Sequence, residues 1–391
     1  MNVLPRCTVV ALVLFLLYAT TLTARADILL SGNEGKYDLS SGAGRTVDNA
    51  EPDSLTILDF AVFPPRVRHV MGVANSVVGP PTNVALSPDE RWALVANSVS
   101  RYTDDPQHPV PDDIVQIIDL SLAAPKIVGT VRVGKQPSGV AINRAGDLAL
   151  VANRGDGTIS LLAIDGTSVT VRQTLTVGEP TSEPADIAIN PAGTMALVSL
   201  NKGAAVRVLR IKEGHAALED RKLPSYGQPY HVQITPDGAL GLVAGGGNQK
   251  GPDADLLTVI DLTVDPVRTI DHLTVGTGPE SFDISPDGRL VAVVLMESSN
   301  IPSTDPQRTE HGRLQLWKRI GKTFSQSVDM PIGRIPEGVC FTADGRYLVV
   351  QEHAARQLAI FGVDKDDLRD TGVRVSTPGF PSSLRRADPS R

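Results

Sequence analysis

A chain of 391 residues with only 4% aromatic side chains and a formal charge of −7 lacks the basic surface and stacking platforms on which nucleic-acid binding depends. Its length suits two average domains or one large all-β domain. Of its two cysteines, Cys7 and Cys340, the first falls in a leader-like segment, so no internal disulfide is expected in the mature chain.

Residues 1–26 read as an export signal. Arg6 supplies the positive start, Val9 to Tyr18 the apolar core, and Ala24-Arg25-Ala26 a small-x-small cleavage site. The apolar run is far shorter than the roughly 20 residues needed to cross a bilayer. We therefore expect cleavage after Ala26, a periplasmic or secreted protein with no transmembrane anchor, and one domain over 27–391. Losing Arg6 and Arg25 with the leader takes the formal charge to −9.

Next come ILLSGNEG (Ile28 to Gly35), SLTILDF (Ser54 to Phe60) and RVRHVMGV (Arg66 to Val73), three strand-like runs with no partner before them. A repeat then begins. Its copies are PTNVALSPDERWALVAN from Pro81, PSGVAINRAGDLALVAN from Pro137, PADIAINPAGTMALVSL from Pro184, PYHVQITPDGALGLVAG from Pro229, PESFDISPDGRLVAVVL from Pro279 and PEGVCFTADGRYLVVQE from Pro336. Each reads as two short antiparallel strands joined by a turn in which glycine supplies positive φ. A third apolar strand and a more polar fourth follow, as in TISLLAID (Thr158 to Asp165) and VTVRQTLTVG (Val169 to Gly178). Four strands every 45 to 57 residues is the period of a β-propeller blade.

The chain ends complete one another. VSTPGFPSSL (Val375 to Leu384) offers the first strand that the N-terminal runs lack. The expected architecture is all-β, a seven-bladed β-propeller of four-stranded antiparallel blades closed by strands from both termini, which hides the open sheet edges.

Chain direction places the residues after each proline and those ending the second strand at one mouth of the channel. The long loops 34–53, 98–112, 245–255 and 296–312 also lie there and are expected to wall a cleft from opposite sides. At this mouth His231, Glu280 and Glu337 are candidates for acid–base catalysis, because a histidine and carboxylates converging on a concave end can pass protons. Asn83, Asn97, Asn153, Asp186, Tyr230, Glu297, Glu352 and His353 are candidates for ligand binding. No cofactor and no metal site are expected, although the acidic mouth could hold a cation. Cys340, in an apolar strand, reads as a buried filler.

LVANS, LVANR and LVSLN, each after a P-x-x-V-x-I-[SN]-P-x-G segment, resemble the repeats of bacterial YVTN-type propeller proteins over essentially the whole mature chain. The same superfamily is similar to the seven-bladed lactonases, including 6-phosphogluconolactonase and carboxymuconate-cyclising enzymes. That resemblance implies an active end using histidine, glutamate and arginine; PYH and PES/PEG match loosely, and no arginine is read at the equivalent rim positions. The reading favoured by the sequence is a monomeric exported propeller that binds a small molecule or a protein at the long-loop rim. The alternative is a lactonase-type hydrolase or isomerase, with His231 as base and Glu280 or Glu337 as acid.

Overall fold

The computed structural model describes residues 27–103, 109–246 and 253–388; the expected cleavage after Ala26 and the centres of two of the long loops lie outside them. Seven four-stranded antiparallel sheets form a ring of blades. The channel-lining strands of blades one to six are Val84–Leu86, Pro137–Ile142, Pro184–Ile189, Gln228–Ile234, Pro279–Ile284 and Pro336–Phe341. Blade seven takes its inner strand, Phe380–Arg386, from the C-terminus and the rest, Ile28–Glu34, Ser54–Asp59 and Arg66–Met71, from the N-terminus. The closing strand thus starts later than Val375 and runs two residues beyond Leu384, because Val375 and Ser376 finish the outer strand of blade six.

The apolar alternation is satisfied between blades. Seven clusters of buried residues each join two neighbours, so the core is itself a ring. Leu94, Ala96 and Val115 of blade one, for example, pack with Val140, Ala149 and Val151 of blade two. Outer strands such as Ser168–Thr176 alternate exposed and half-buried residues, as expected where one face meets water.

Two glycine positions recur for different reasons. Gly146, Gly193, Gly238, Gly288 and Gly345 close the turns between first and second strands with φ between 70° and 76°, a region other residues enter at a cost. The glycine before the repeat proline is required by space instead. A β-carbon on Gly134 would lie 2.7 Å from Cγ of Asn153, and one on Gly333 2.8 Å from Cγ of Glu352. Each of these glycines covers the last residue of the next blade's second strand. Gly134→Ala is therefore expected to lower unfolding free energy by about 1–3 kcal/mol through overpacking, read from urea denaturation midpoints.

An inner strand has a free edge facing the channel, and its outward N–H groups need acceptors. Side chains of the preceding blade supply them. Asp186 accepts from Val232 N–H (2.9 Å), His231 Nδ1 from Phe282 N–H (3.3 Å), Gln233 from Ile284 N–H (3.0 Å) and Asp283 from Phe341 N–H (2.8 Å). This is why polar residues interrupt an otherwise apolar strand pattern.

Candidate functional site

At the upper mouth, where the repeat prolines lie, the loop walls are continuous rather than opposed. Gly42 of the blade-seven loop lies against the Ile301 carbonyl of the blade-five loop. Arg334 ties them further, donating to Ser40 O at 2.7 Å and Ser299 O at 3.2 Å. On the other flank Tyr37 stacks on Tyr102 of the blade-one loop, ring centroids 4.0 Å apart. The expected facing walls therefore join over blade six, whose own loop is tight, and extend to blade one. Blades two and three, with four-residue links between second and third strands (from Asn153 to Thr158 and from Leu200 to Ala205), form the low side of the rim.

The position one residue after each proline carries the upper layer. Here stand Tyr230, Glu280 and Glu337, the two carboxyls buried. Burial pushes Glu280 up to about 8, opposed by a hydrogen bond from the Tyr230 hydroxyl. Burial also raises Glu337 well above the carboxylate range, and the charges of Glu280 and Glu34 push it further. Two carboxyls that repel in a site poor in water cannot both ionise at neutral pH, so the pair retains a proton.

Glu34, at the end of the second strand of blade seven, completes the acidic layer. Its Oε2 accepts from Val77 N–H (2.6 Å) and Tyr102 O–H (3.3 Å), and Lys36 Nζ lies 3.1 Å from Oε1. Burial lifts it to about 7 despite Lys36. Lys36 is shared with Asp53 at 2.6 Å. On the low side Arg154 pairs with Glu183 at 2.6 Å, its side chain 11% exposed. Its charge acts on Tyr230.

One residue further along each inner strand lies a second layer. Asp186 reaches across blade two to accept from Thr82 Oγ1 of blade one at 2.8 Å. Gly139 permits this, since a β-carbon there would stand 2.6 Å from Asp186 Cα. Burial raises Asp186 to about 6, with Arg385 the chief opposing charge. His231 is buried and stacked on Phe282; burial first and Arg385 second hold it well below the usual imidazole range, hence neutral. Because Phe282 N–H donates to Nδ1, the ring proton resides on Nε2, which faces Asp186 Oδ2 at 3.9 Å and Arg385 Nη1 at 3.5 Å.

The sequence candidates thus fall into three groups. Tyr230, Glu280 and Glu337 share the upper layer, whereas His231 and Asp186 belong to the layer beneath, so the expected His231–Glu280 acid–base couple is split between two separately bonded layers. The others are held by the scaffold. Asn83 donates to Asn75 and Ala96 O, Asn97 to Val99 O and Asp112, and Asn153 to Thr158 and Ser160. Glu297 accepts from Thr277 N–H and Glu352 from Gly333 N–H. His353, drawn down to about 4 by burial, faces Pro381 O through Nδ1 and accepts from Leu39 N–H through Nε2.

Sequence reasoning missed Arg385, Arg154, Glu34 and Lys36. The absence of arginine read at the rim is corrected by Arg154 at the mouth and Arg385 lower in the channel. Arg385 was within reach of the repeat, because it stands four residues after Pro381, where the other blades carry Ala85, Ala141, Ala188, Gln233, Asp283 and Cys340. Cys340 is buried, its thiol pushed well up by burial. Among the described residues no group of three or more histidine, cysteine, aspartate or glutamate side chains is arranged to hold a metal ion, and no helix is long and apolar enough to cross a membrane.

Comparison with known proteins agrees with this geometry. The family model "Lactonase, 7-bladed beta-propeller" matches residues 112–234. No curated protein matches the chain. Among solved structures, a 6-phosphogluconolactonase candidate from Bacteroides fragilis superposes with TM-score 0.67 at 15% identity, covering 94% of this chain and 99% of its own. The periplasmic gluconolactonase of Pseudomonas aeruginosa gives 0.65 at 16%, covering 92% and 99%. Hydrazine synthase of Kuenenia stuttgartiensis gives 0.61 at 18%, covering 80% and 90%, so likeness at this level speaks for the fold and leaves the chemistry to the site. The chain is thus a seven-bladed β-propeller in which residues 112–234 are similar to the lactonase family model.

Proposed function

We propose that this chain hydrolyses a sugar-type lactone at the upper mouth of its channel. The observation that carries the reading is the buried Glu280–Glu337 pair, which retains a proton where ordinary carboxyls would both be ionised. Glu280, whose ionised form is favoured by the hydrogen bond from Tyr230, takes a proton from water as it attacks the lactone carbonyl. Glu337 donates its proton to the ring oxygen as the carbon–oxygen bond breaks. The hydroxy acid leaves with the pair's proton moved from one carboxyl to the other, and exchange with water resets it. Arg154, whose Nη1 has no partner among the described residues, offers donors to hydroxyl or carboxylate groups of the substrate.

Two structural neighbours described as lactonases of gluconate-type substrates support the class. The test is turnover of a panel of sugar and aromatic lactones, with and without a phosphate group. If no lactone is turned over but one raises the melting temperature, the binding reading replaces the hydrolase, since a ligand specific to the folded state stabilises it. We also place the protein outside the cytoplasm, on the leader-like residues 1–26. Mass spectrometry of the chain recovered from a cell envelope or medium fraction is expected to give Asp27 as its first residue. An intact Met1 would remove the export reading.

A further inference from the structure

We propose that the lower half of the channel is a second site, which binds a small oxyanion, a phosphate or the carboxylate of a small acid, on Arg385 and the neighbouring Arg386. Below the two layers described above, a cavity of about 80 Å³ is lined by Arg385, Arg386 and Arg144. It exists because blades one to three present only Ala85, Ala141 and Ala188 at the level where blade seven presents Arg385. By the roughly 10–15 Å³ of such space that one water occupies, the cavity admits a handful of waters, or one acid group, and excludes a whole sugar.

The donor balance selects the charge. Arg385 makes no ion pair within 4.0 Å among the described residues, and its one close polar contact is the 3.5 Å approach to His231 Nε2. That nitrogen carries the ring proton, so two donors face one another, and the nearest carboxylate oxygen, on Asp186, is 3.9 Å from the imidazole and already accepts from Val232. Half-buried Arg385 faces the cavity, where an oxyanion would give its guanidinium the charged acceptor that His231 does not supply.

The neighbouring arginine is paired but keeps an unfilled donor. The side chain of Arg386 is 7% exposed and donates through Nη2 to Ile284 O at 2.8 Å, while its Nε has no partner. Asp283, the carboxylate closest to it at 3.6 Å, is committed to Gln233 and Phe341 N–H. Arg144 crosses the lower mouth to donate to Pro236 O at 3.2 Å, where its guanidinium adds to the field at the entrance. The remaining charged lining group, Asp388, is exposed at the edge.

The site is separate from the upper carboxyl pair, so its test reads binding rather than turnover. Isothermal titration of inorganic phosphate and, in a second arm, of acetate into the full chain, at constant ionic strength with chloride as background, is expected to show one saturable site per chain. The arm that binds tighter identifies a tetrahedral dianion or a carboxylate as the preferred class. Affinity should fall at least tenfold in Arg385→Gln and severalfold in Arg144→Gln. The latter alters only the mouth and keeps the test valid if Arg385→Gln fails to fold. Nitrogen-15 spectra should show the His231 imidazole become easier to protonate when the anion binds, because the anion offsets the field of Arg385. No saturable binding of either anion, or binding undiminished in both variants, overturns the proposal.

Discussion

Replacing Glu280 by glutamine is expected to lower kcat/KM for lactone hydrolysis by about 10²- to 10⁴-fold, the usual contribution of a positioned proton-transfer group. Glu337→Gln should do the same. The amide keeps the size of the side chain but neither takes nor releases a proton at working pH, so the loss measures chemistry rather than packing. The wild-type profile should rise with pH through about 8, where Glu280 becomes the available base. Tyr230→Phe is expected to move the rising limb upward, since the hydroxyl stabilises the ionised Glu280. Equal activity of wild type and Glu280→Gln on every hydrolysed lactone would remove the carboxyl pair from the mechanism.

The same pair should make the fold less stable as pH rises. Glu280, Glu337 and Glu34 all ionise at higher pH in the folded chain than in an unfolded one, because burial disfavours their charged forms. Between the ordinary carboxylate range near 4.5 and the folded-state values of about 7 and about 8, the native protein therefore holds more protons than the unfolded chain. Stability is fully present below the unfolded values and is lost as pH climbs through the folded ones. Each tenfold difference in proton affinity between the folded and unfolded chain is worth roughly 1.4 kcal/mol, so the accumulated loss by about pH 9 amounts to several kcal/mol. Melting temperature is expected to fall from about pH 7 to about pH 9, above the range in which the buried His231 and His353 act in the opposite sense, and the fall should be shallower in Glu280→Gln and Glu337→Gln, which are predicted to be more stable than wild type above about pH 8. A melting temperature that rises over this interval would mean that the carboxyls ionise freely and are not buried as a pair. Together the two results describe one trade: the proton retained for catalysis is kept by a site that penalises folding.

The site was only partly legible along the chain. Tyr230, Glu280 and Glu337 could be found because they replace small residues at one fixed position after a proline, and a repeat makes such departures visible. Asn153 could not be assigned in the same way. Expected to bind ligand at the mouth, it donates to Thr158 and Ser160 and lies beneath Gly134, 19 residues upstream. His231 suggested a base; the free edge of the neighbouring inner strand instead engages its Nδ1, a demand that no local pattern announces. Arg385 was hidden for a simpler reason. The closing strand was expected to stop at Leu384, one residue short of the arginine, although the repeat count from Pro381 reaches it.

What the sequence determined by itself was the ring: turn chemistry, two-residue alternation and blade period are short-range properties, repeated often enough that six copies fix the geometry of the seventh. Tertiary structure decided everything that depends on which blades face one another across the channel. It joined the blade-five and blade-seven loops over blade six, brought Glu34 from the N-terminus beside Glu337, and set Arg385 from the C-terminus against His231. Those meetings raise or lower proton affinity through burial and charge at distances of a few ångströms, between residues separated by as many as 303 positions (Glu34 and Glu337). A linear pattern specifies which side chains line the channel, whereas closure of the ring specifies which of them touch.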